Sequence, residues 1–171
     1  MMNPISLRRD KEMVADVATI LHFLSYDAHT GAITWKRNKG RAKIGAEAGG
    51  ITPQGYRNLE ISGRKYQAHR VAWLLMTGYW PTFDIDHVDG NTLNNAFSNL
   101  REASRSENCA NRRGRSGTRS GAKGAYWHKA NQKWVASVGR KYIGSFSTIE
   151  EASEAYRRAA EKLHGEFARL Y

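Results

Sequence analysis

Residues Asn111 to Gly124 read NRRGRSGTRSGAKG, a stretch without a single large apolar side chain. A segment built from Gly, Ser and Arg cannot bury a core and behaves as a flexible cationic tether. It therefore divides the chain into two modules, and 171 residues are enough for two small ones. Charge marks the same place. Residues 1–100 carry 12 basic and 9 acidic side chains, whereas residues 101–123 carry 7 and 2. The whole chain has a formal charge of +11 and a sequence pI of about 10.0, which points to a polyanionic partner. A solvated linker with no partner is the plainer reading of the basic stretch.

Disorder throughout is excluded, because 40% of residues are apolar and five Trp, eight Tyr and five Phe are available for cores. The single Cys, Cys109, makes neither an internal disulfide nor a Cys-rich zinc site, so a reducing compartment is expected. The early apolar stretch Val14 to Leu24 is interrupted by Asp16, Thr19 and His22, and no cleavage pattern follows it. Neither a signal peptide nor a membrane span is expected.

Met13, Val17, Ile20, Leu21 and Leu24 are spaced as on a helix, giving an N-terminal helical segment over 1–24. Turn chemistry at Tyr26 to Gly31 leads into a strand over Ala32 to Lys36. Gly55 to Ile61 alternates, Ser62-Gly63 is a turn, and Arg64 to Ala68 returns, which predicts a hairpin. His69 to Met76 is expected as a short buried helix ending near Gly78. Beyond the tether, Trp127, Trp134 to Val138 and Lys141 to Phe146 suggest three short strands. Thr148 and Glu151 form a capping box for a following helix whose inner stripe is Ala152, Ala155, Tyr156, Ala159, Ala160 and Leu163, with Gly165 at its end. Its outer face mixes charges, with Glu154 four residues before Arg158, and is expected to be solvated.

The segment from Asp84 to Asn111 holds adjacent Asp86 and His87, an Asp89-Gly90 turn, and six asparagines, too many carboxamides for a core. Ser104 and Glu107 form another capping box, so a helix should carry Asn108 and Asn111. Hydrolysis of a phosphodiester needs a base for water and a cation to offset charge on the phosphate. Asp86 offers a hard oxygen, Asn108 an amide oxygen, and His87 an imidazole near its working pKa. Oxygen ligation suits Mg²⁺ or Mn²⁺ over zinc. Neighbours on a strand point to opposite sides, so Asp86 and His87 serve one metal site only at a twisted strand end or a strand edge.

The order of DH, DGN, NN, NLR and EN in this segment resembles the HNH nucleases of phage and homing endonucleases. The resemblance extends to AHRVAWLLMTGYWP and SYDAHTGAITWKR and covers about residues 25–113. It implies a nuclease domain over 25–113 with two strands and a helix around one metal. Carried over, it makes His87 the general base, Asn99 the residue that orients it, and Asp86 and Asn108 the ligands of one divalent cation, Mg²⁺ or Mn²⁺. Asn91, Asn94 and Asn95 are expected as turn formers and caps. Asn111 is open between support of the site and a phosphate contact. His69 is expected to pack or to bond at a helix start, and His22, His29 and His164 carry no functional signal.

Residues 124–171 resemble the APETALA2-type DNA-binding domain, through Gly124-Ala125-Tyr126-Trp127, Lys133 to Ala136, Tyr142 to Phe146, and Glu150 to Ala160. The resemblance implies a three-stranded sheet that enters the major groove with a helix packed behind it. Tyr126, His128, Lys133, Ser137, Arg140 and Lys141 are then candidates for contact with phosphates or base edges. Arg112, Arg113, Arg115, Arg119 and Lys123 of the basic linker, 111–123, are candidates for the DNA backbone. Tyr126 and Ser137 stand where the plant domains have Arg, so base preference does not transfer. Trp134 is expected to pack against the helix.

The expected fold class is α+β, a ββα-metal nuclease module followed by a small three-stranded antiparallel sheet with one packed helix. The expected function is metal-dependent hydrolysis of double-stranded DNA, directed to a site, in the cytoplasm of a bacterial or phage-infected cell. A single site acts on one strand at a time, so a monomer should nick, and double-strand breaks need a dimer or sequential events. The alternative is a DNA-binding regulator with an inactive nuclease module. RNA is disfavoured as substrate because no RNA-recognition aromatic pattern is present.

Overall fold

The computed structural model describes residues 17–111 and 122–168. Within these the architecture is α+β, built from small sheets, and it divides into two compact units that part between Glu102 and Ala103.

In the first unit, helix α1 covers described residues 17–23, and Leu24 opens strand β1 (Leu24–Tyr26). The N-terminal helix thus ends one residue before the expected limit of 24, and residues 1–16 lie outside the described ones. Leu21 of the expected stripe is 46% exposed, whereas Ile20 and Leu24 are buried. Strand β1 pairs antiparallel with β2 (Ile33–Trp35). The connection is set by Asp27, whose carboxylate accepts from the amides of His29 and Thr30.

Strands β3 (Gly50–Ile51), β4 (Arg57–Ile61) and β5 (Arg64–Gln67) form a second antiparallel sheet. The predicted hairpin is present, and Ser62 and Gly63 both take positive φ (53° and 77°), which matches a two-residue turn to the twist of its strands. Leu59 and Ile61 alternate inward and are fully buried. Helix α2 (Ala68–Thr77) lays Ala68, Val71, Ala72 and Leu74 into the same core and closes on Gly78 at φ 85°. Each fully buried aliphatic side chain contributes about 1.5–3 kcal/mol over its exposed state.

The segment that follows is tied down at both ends. Arg70 donates to the carbonyls of Phe83 and Pro81, and the Glu102 carboxylate accepts from the amides of Thr82 and Phe83. These bonds deliver the chain into strand β6 (Asp84–His87), which pairs with β7 (Leu100–Ala103). Helix α3 (Arg105–Ala110) comes next, so two strands and a helix follow in the order expected.

The second unit holds α3 and a three-stranded antiparallel sheet of β8 (Ala125–His128), β9 (Lys133–Val138) and β10 (Lys141–Phe146), with β9 in the middle. Helix α4 (Ile149–His164) packs on this sheet through Ala152, Tyr156 and Ala160, against Ala125, Ala136 and Val138. Leu163, expected on the buried stripe, is 54% exposed, because the helix runs past the edge of its small core. Trp134 packs against this core as expected and meets Trp127 edge to face, with ring centroids 5.4 Å apart. On the outer face, Glu154 pairs with Arg157 and Arg158.

Both capping boxes are formed. The Ser104 hydroxyl accepts from the Glu107 amide while the Glu107 carboxylate accepts from the Ser104 amide, and Thr148 and Glu151 do the same. Ser104→Ala and Thr148→Ala are each expected to destabilise the protein by about 1 kcal/mol in urea titrations, with the loss restored by an Asp at the same position.

Candidate active site

His87 ends β6, and the twelve residues that follow return the chain to β7 through an asparagine loop. Its carboxamides are spent on its own backbone, on the Asp89 carboxylate and on the His87 ring, which answers why so many are present. The Asp89 carboxylate accepts from the Asn91 amide (2.7 Å), from Asn94 Nδ2 (2.8 Å) and from Asn99 Nδ2 (3.0 Å). Asn91 Oδ1 accepts from the Leu93 amide, and Asn94 Oδ1 from the Ala96 amide. Partial burial pushes the Asp89 carboxyl up, but the hydrogen bonds from Asn94, Asn91 and Asn99 outweigh it and hold the carboxyl below its usual range. Asn91 and Asn94 are thus the turn formers expected.

Asn99 was expected to orient His87, but its side chain goes elsewhere. Its Oδ1 accepts from the Asp89 amide (3.0 Å), its Nδ2 also donates to the Asn94 carbonyl (2.8 Å), and its own carbonyl accepts from the Val88 amide (2.9 Å). Asn99 therefore closes the loop just after His87 and acts on that residue through the backbone. The ring itself is met by Asn95, whose Oδ1 lies 3.1 Å from His87 Nε2. Both side chains are buried, with 3% and 4% of their surface exposed.

Asn95 is in turn held by the β1–β2 hairpin. The Tyr26 hydroxyl donates to the Asn95 carbonyl (2.8 Å), and the Ala28 carbonyl accepts from the Phe97 amide (2.9 Å). Burial, with the Asp27 charge beside it, pushes the Tyr26 hydroxyl up to about 12, so it remains a donor. Gly31, at φ 76°, lies so close to the backbone of Asn95 and Ala96 that a Cβ there would collide with both.

On the neighbouring position of β6, Asp86 is buried at 5% exposure and accepts a hydrogen bond on Oδ2 from Arg101 Nε of β7 (3.0 Å), with Arg101 Nη2 in ion-pair contact with the same oxygen at 2.9 Å. Removing a charged partner from such a buried carboxylate is costly, so this pair fixes where Asp86 sits. Asn108 is half-buried on α3 in the second unit, and Asn111 caps that helix and is buried. Among the described residues, no three His, Cys, Asp or Glu side chains gather as a metal cage. The Asp86 carboxylate is a hard oxygen donor of the kind that suits an Mg²⁺-like ion better than zinc.

His69 of α2 packs edge-on to His87, with ring centroids 5.1 Å apart, and Tyr56 lies against both. Burial above all, then the charges of His87 and Arg70, push the His69 imidazole down from 6.5 to about 3. The unfolded chain binds this proton below about 6.5 and the folded chain does not, so stability is complete above that pH and falls as pH drops toward 3. Between about pH 6.5 and pH 5.5 the unfolding free energy is expected to fall by about 1 kcal/mol. His69→Phe should flatten that dependence in urea titrations.

The candidate DNA-contacting residues fall in three groups. Arg112, Arg113, Arg115 and Arg119 lie outside the described residues. Lys123 is half-buried and donates to the Ala110 carbonyl (2.6 Å), where the last carbonyls of α3 favour a cation. On the sheet, cross-strand register puts Tyr126, His128, Lys133 and Ser137 on the face opposite the helix-packed Ala125, Ala136 and Val138, and Arg140 and Lys141 are exposed at the β9–β10 turn. His128 Nδ1 accepts from the Asn131 amide, and Lys133 Nζ donates to Ser147. Tyr142, 62% exposed and paired with Ser137, shares that face and was missed in the sequence, where it reads as one more apolar strand residue.

Asn95, Arg101, Tyr26 and Gly31 were also missed. Asn95 carried a signal in its Asn94-Asn95 doublet and Arg101 in the NLR run, but nothing local marks the other two.

Residues 66–110 match the family described as HNH endonuclease. Protein 3.8 of Escherichia phage T7 is 38% identical over 107 residues, which cover 60% of this chain and 88% of that protein. An uncharacterized HNH endonuclease of Acanthamoeba polyphaga mimivirus is 37% identical over 110 residues, covering 61% of this chain and 56% of that one. Among solved structures, that of the HNH homing endonuclease I-HmuI aligns at 26% identity with a TM-score of 0.39, over 52% of this chain and 51% of that one. With Asp86, His87, Asn95, Asn99 and Arg101 all inside the matched segment, the chain belongs to the family of the phage T7 protein and carries an HNH endonuclease domain.

Proposed function

We propose that this protein is a metal-dependent endonuclease that hydrolyses phosphodiester bonds in double-stranded DNA, nicking at a preferred site as homing enzymes do. The observation that carries the reading is His87 held by Asn95 at the end of β6, one residue from the buried Asp86, within the segment matched to HNH endonucleases. His87 takes the proton from the attacking water, and Asn99 holds the loop behind it. Asp86 would supply the carboxylate ligand of the divalent cation, with Asn108 assigned as the amide ligand from its place in the sequence motif alone. When bound, such a cation offsets charge on the phosphate and the departing oxygen. Arg101 keeps the Asp86 carboxylate in position.

In this reading the nuclease domain spans 25–113 and the basic linker 111–123. Residues 124–171 form an APETALA2-type module that lays the Tyr126, His128, Lys133 and Ser137 face toward the major groove. Arg112, Arg113, Arg115, Arg119, Lys123, Arg140 and Lys141 supply charge for the backbone, so binding should weaken steeply with salt. A monomer would nick, and its work would lie in the cytoplasm of a bacterial or phage-infected cell.

Incubation with supercoiled plasmid is expected to give nicked circles with Mg²⁺ or Mn²⁺ and none with EDTA. Plasmid that is bound but stays intact with either ion would overturn the nuclease reading. It would favour the alternative, a DNA-binding regulator, for which the Arg101 ion pair on Asp86 is the supporting observation: that carboxylate already has a cationic partner.

A further inference from the structure

We propose that residues 36–45 form a cationic arm by which the first unit itself grips the phosphate backbone of duplex DNA, through Arg37, Arg41 and Lys43. The inference rests on the proposed DNA substrate and is independent of cleavage. Residues 1–100 carry 12 basic against 9 acidic side chains, a surplus of three, and that average hides a concentration. Five of the twelve fall at Lys36, Arg37, Lys39, Arg41 and Lys43, and no acidic residue stands between Asp27 and Glu47. Glu47 is itself paired with Arg57 Nη2 at 3.0 Å.

Hydrogen bonds close this segment from base to tip. At the base, the Ala48 amide donates to the Ile33 carbonyl (2.7 Å), the Trp35 amide to the Ala46 carbonyl (3.0 Å) and the Gly45 amide to the Trp35 carbonyl (2.8 Å). Asn38 Oδ1 accepts from the Ile44 amide (2.9 Å), and at the tip Lys39 and Ala42 exchange two amide-to-carbonyl bonds of 3.0 Å. Two of the five cations hold the arm down. Lys36 Nζ donates to the Leu21 carbonyl (3.2 Å). Lys39 Nζ donates to the Glu60 carbonyl (3.4 Å) and lies over the Phe23 and Trp35 rings, 5.6 and 5.4 Å from their centroids. Arg37, Arg41 and Lys43 are exposed and make no hydrogen bond or ion pair among the described residues. Three like charges on a backbone already fixed by hydrogen bonds repel one another, and a row of phosphates relieves that repulsion. A backbone fixed in advance also has little ordering left to lose on docking. Each Arg presents parallel N–H donors that match two phosphate oxygens. The arm leaves β2 at Trp35, whereas Tyr26, which holds Asn95 beside His87, pairs with Ile33 at the other end of the strand. One β1–β2 hairpin thus carries both the arm and a support of the site.

The test is fluorescence anisotropy of the full chain on a labelled DNA duplex in EDTA, across a range of salt concentrations. Arg37→Gln, Arg41→Gln and Lys43→Gln combined remove three charges that no contact within the fold uses, so the urea midpoint is expected to stay at the wild-type value. Each phosphate contact contributes about 0.9 to the slope of log K against log salt, so the triple variant should lose about 2.7 from that slope. From about 50 to about 200 mM salt, wild-type affinity should then fall about 40-fold more than that of the variant. The control combines Arg157→Gln, Arg158→Gln and Lys162→Gln on α4, whose side chains are exposed, and it makes an equal change in net charge. It should keep the wild-type slope. An unchanged slope in the arm variant would overturn the proposal, as would an equal loss in the control, a loss seen on the same duplex made of RNA but not on DNA, or a wild type that does not bind DNA at all. If the slopes come out as expected yet plasmid is never nicked with Mg²⁺ or Mn²⁺, the nuclease reading fails and the arm stands.

Discussion

His87→Ala is expected to lower plasmid nicking by about a hundred- to ten-thousandfold, the contribution of a positioned general base, while leaving the affinity for duplex DNA unchanged. The basis is a division of labour within the chain. The surplus of Lys and Arg over Asp and Glu sits most densely in residues 101–123, and it favours adhesion to phosphates whatever happens at His87. Cutting needs a proton acceptor, and His87 is buried, held by Asn95 and backed by His69, an imidazole that burial keeps neutral down to about pH 3. Nicking rates and fluorescence anisotropy on one DNA would separate the two properties. Unchanged nicking by His87→Ala would place the base elsewhere, whereas a parallel loss of binding and nicking would mean that the substitution had damaged the fold.

Gly31→Ala is expected to cost about 3 kcal/mol in urea unfolding and most of the nicking activity, although Gly31 touches no catalytic group. Two costs combine. A non-glycine residue at positive φ is strained by about 1–2 kcal/mol, and the new methyl group meets the backbone of Asn95 and Ala96, where overpacking adds about 1–3 kcal/mol. No rotamer relieves a clash with backbone. The loop can yield only by moving Asn95, and with it the acceptor that holds His87. Gly45→Ala is the control, since Gly45 has a similar φ of 79° with nothing within 4 Å of its Cβ position. That variant should lose only the strain and keep its activity. Equal losses in the two variants would show that backbone strain alone is responsible and that the close approach to the loop is unimportant.

Much of the local structure was legible before any coordinates. The Ser62-Gly63 turn, the three strands and helix of the second unit and both capping boxes stand where their residue types predict, and the helix expected from His69 begins one residue earlier, at Ala68, which was read as the end of the strand. Each depends on interactions between residues a few positions apart, so a pattern in the chain is enough to specify it. The same holds for the asparagine loop in general outline, because Asx turns reach only two or three residues along the backbone. Leu163 was misread because periodicity marks the apolar stripe of a helix without marking where the partner sheet ends.

The site divides along the same line. Adjacent Asp86 and His87, and the asparagines that follow at motif spacing, are properties of the chain, and they sufficed to suggest hydrolysis of a phosphodiester. Which carboxamide meets the imidazole is a property of the fold. Asn95 and Asn99 are the same residue type, four positions apart in one loop, and only the path of the loop turns one toward His87 and the other toward Asp89. That path is held by Tyr26, 69 residues earlier, and by Gly31 of the same hairpin, and Asp86 is placed by Arg101 from the opposite strand. Contacts across such separations leave no periodicity and no local signature. They exist only when the chain has packed, because burial is what makes one hydrogen bond out of several equivalent candidates the one that must be made.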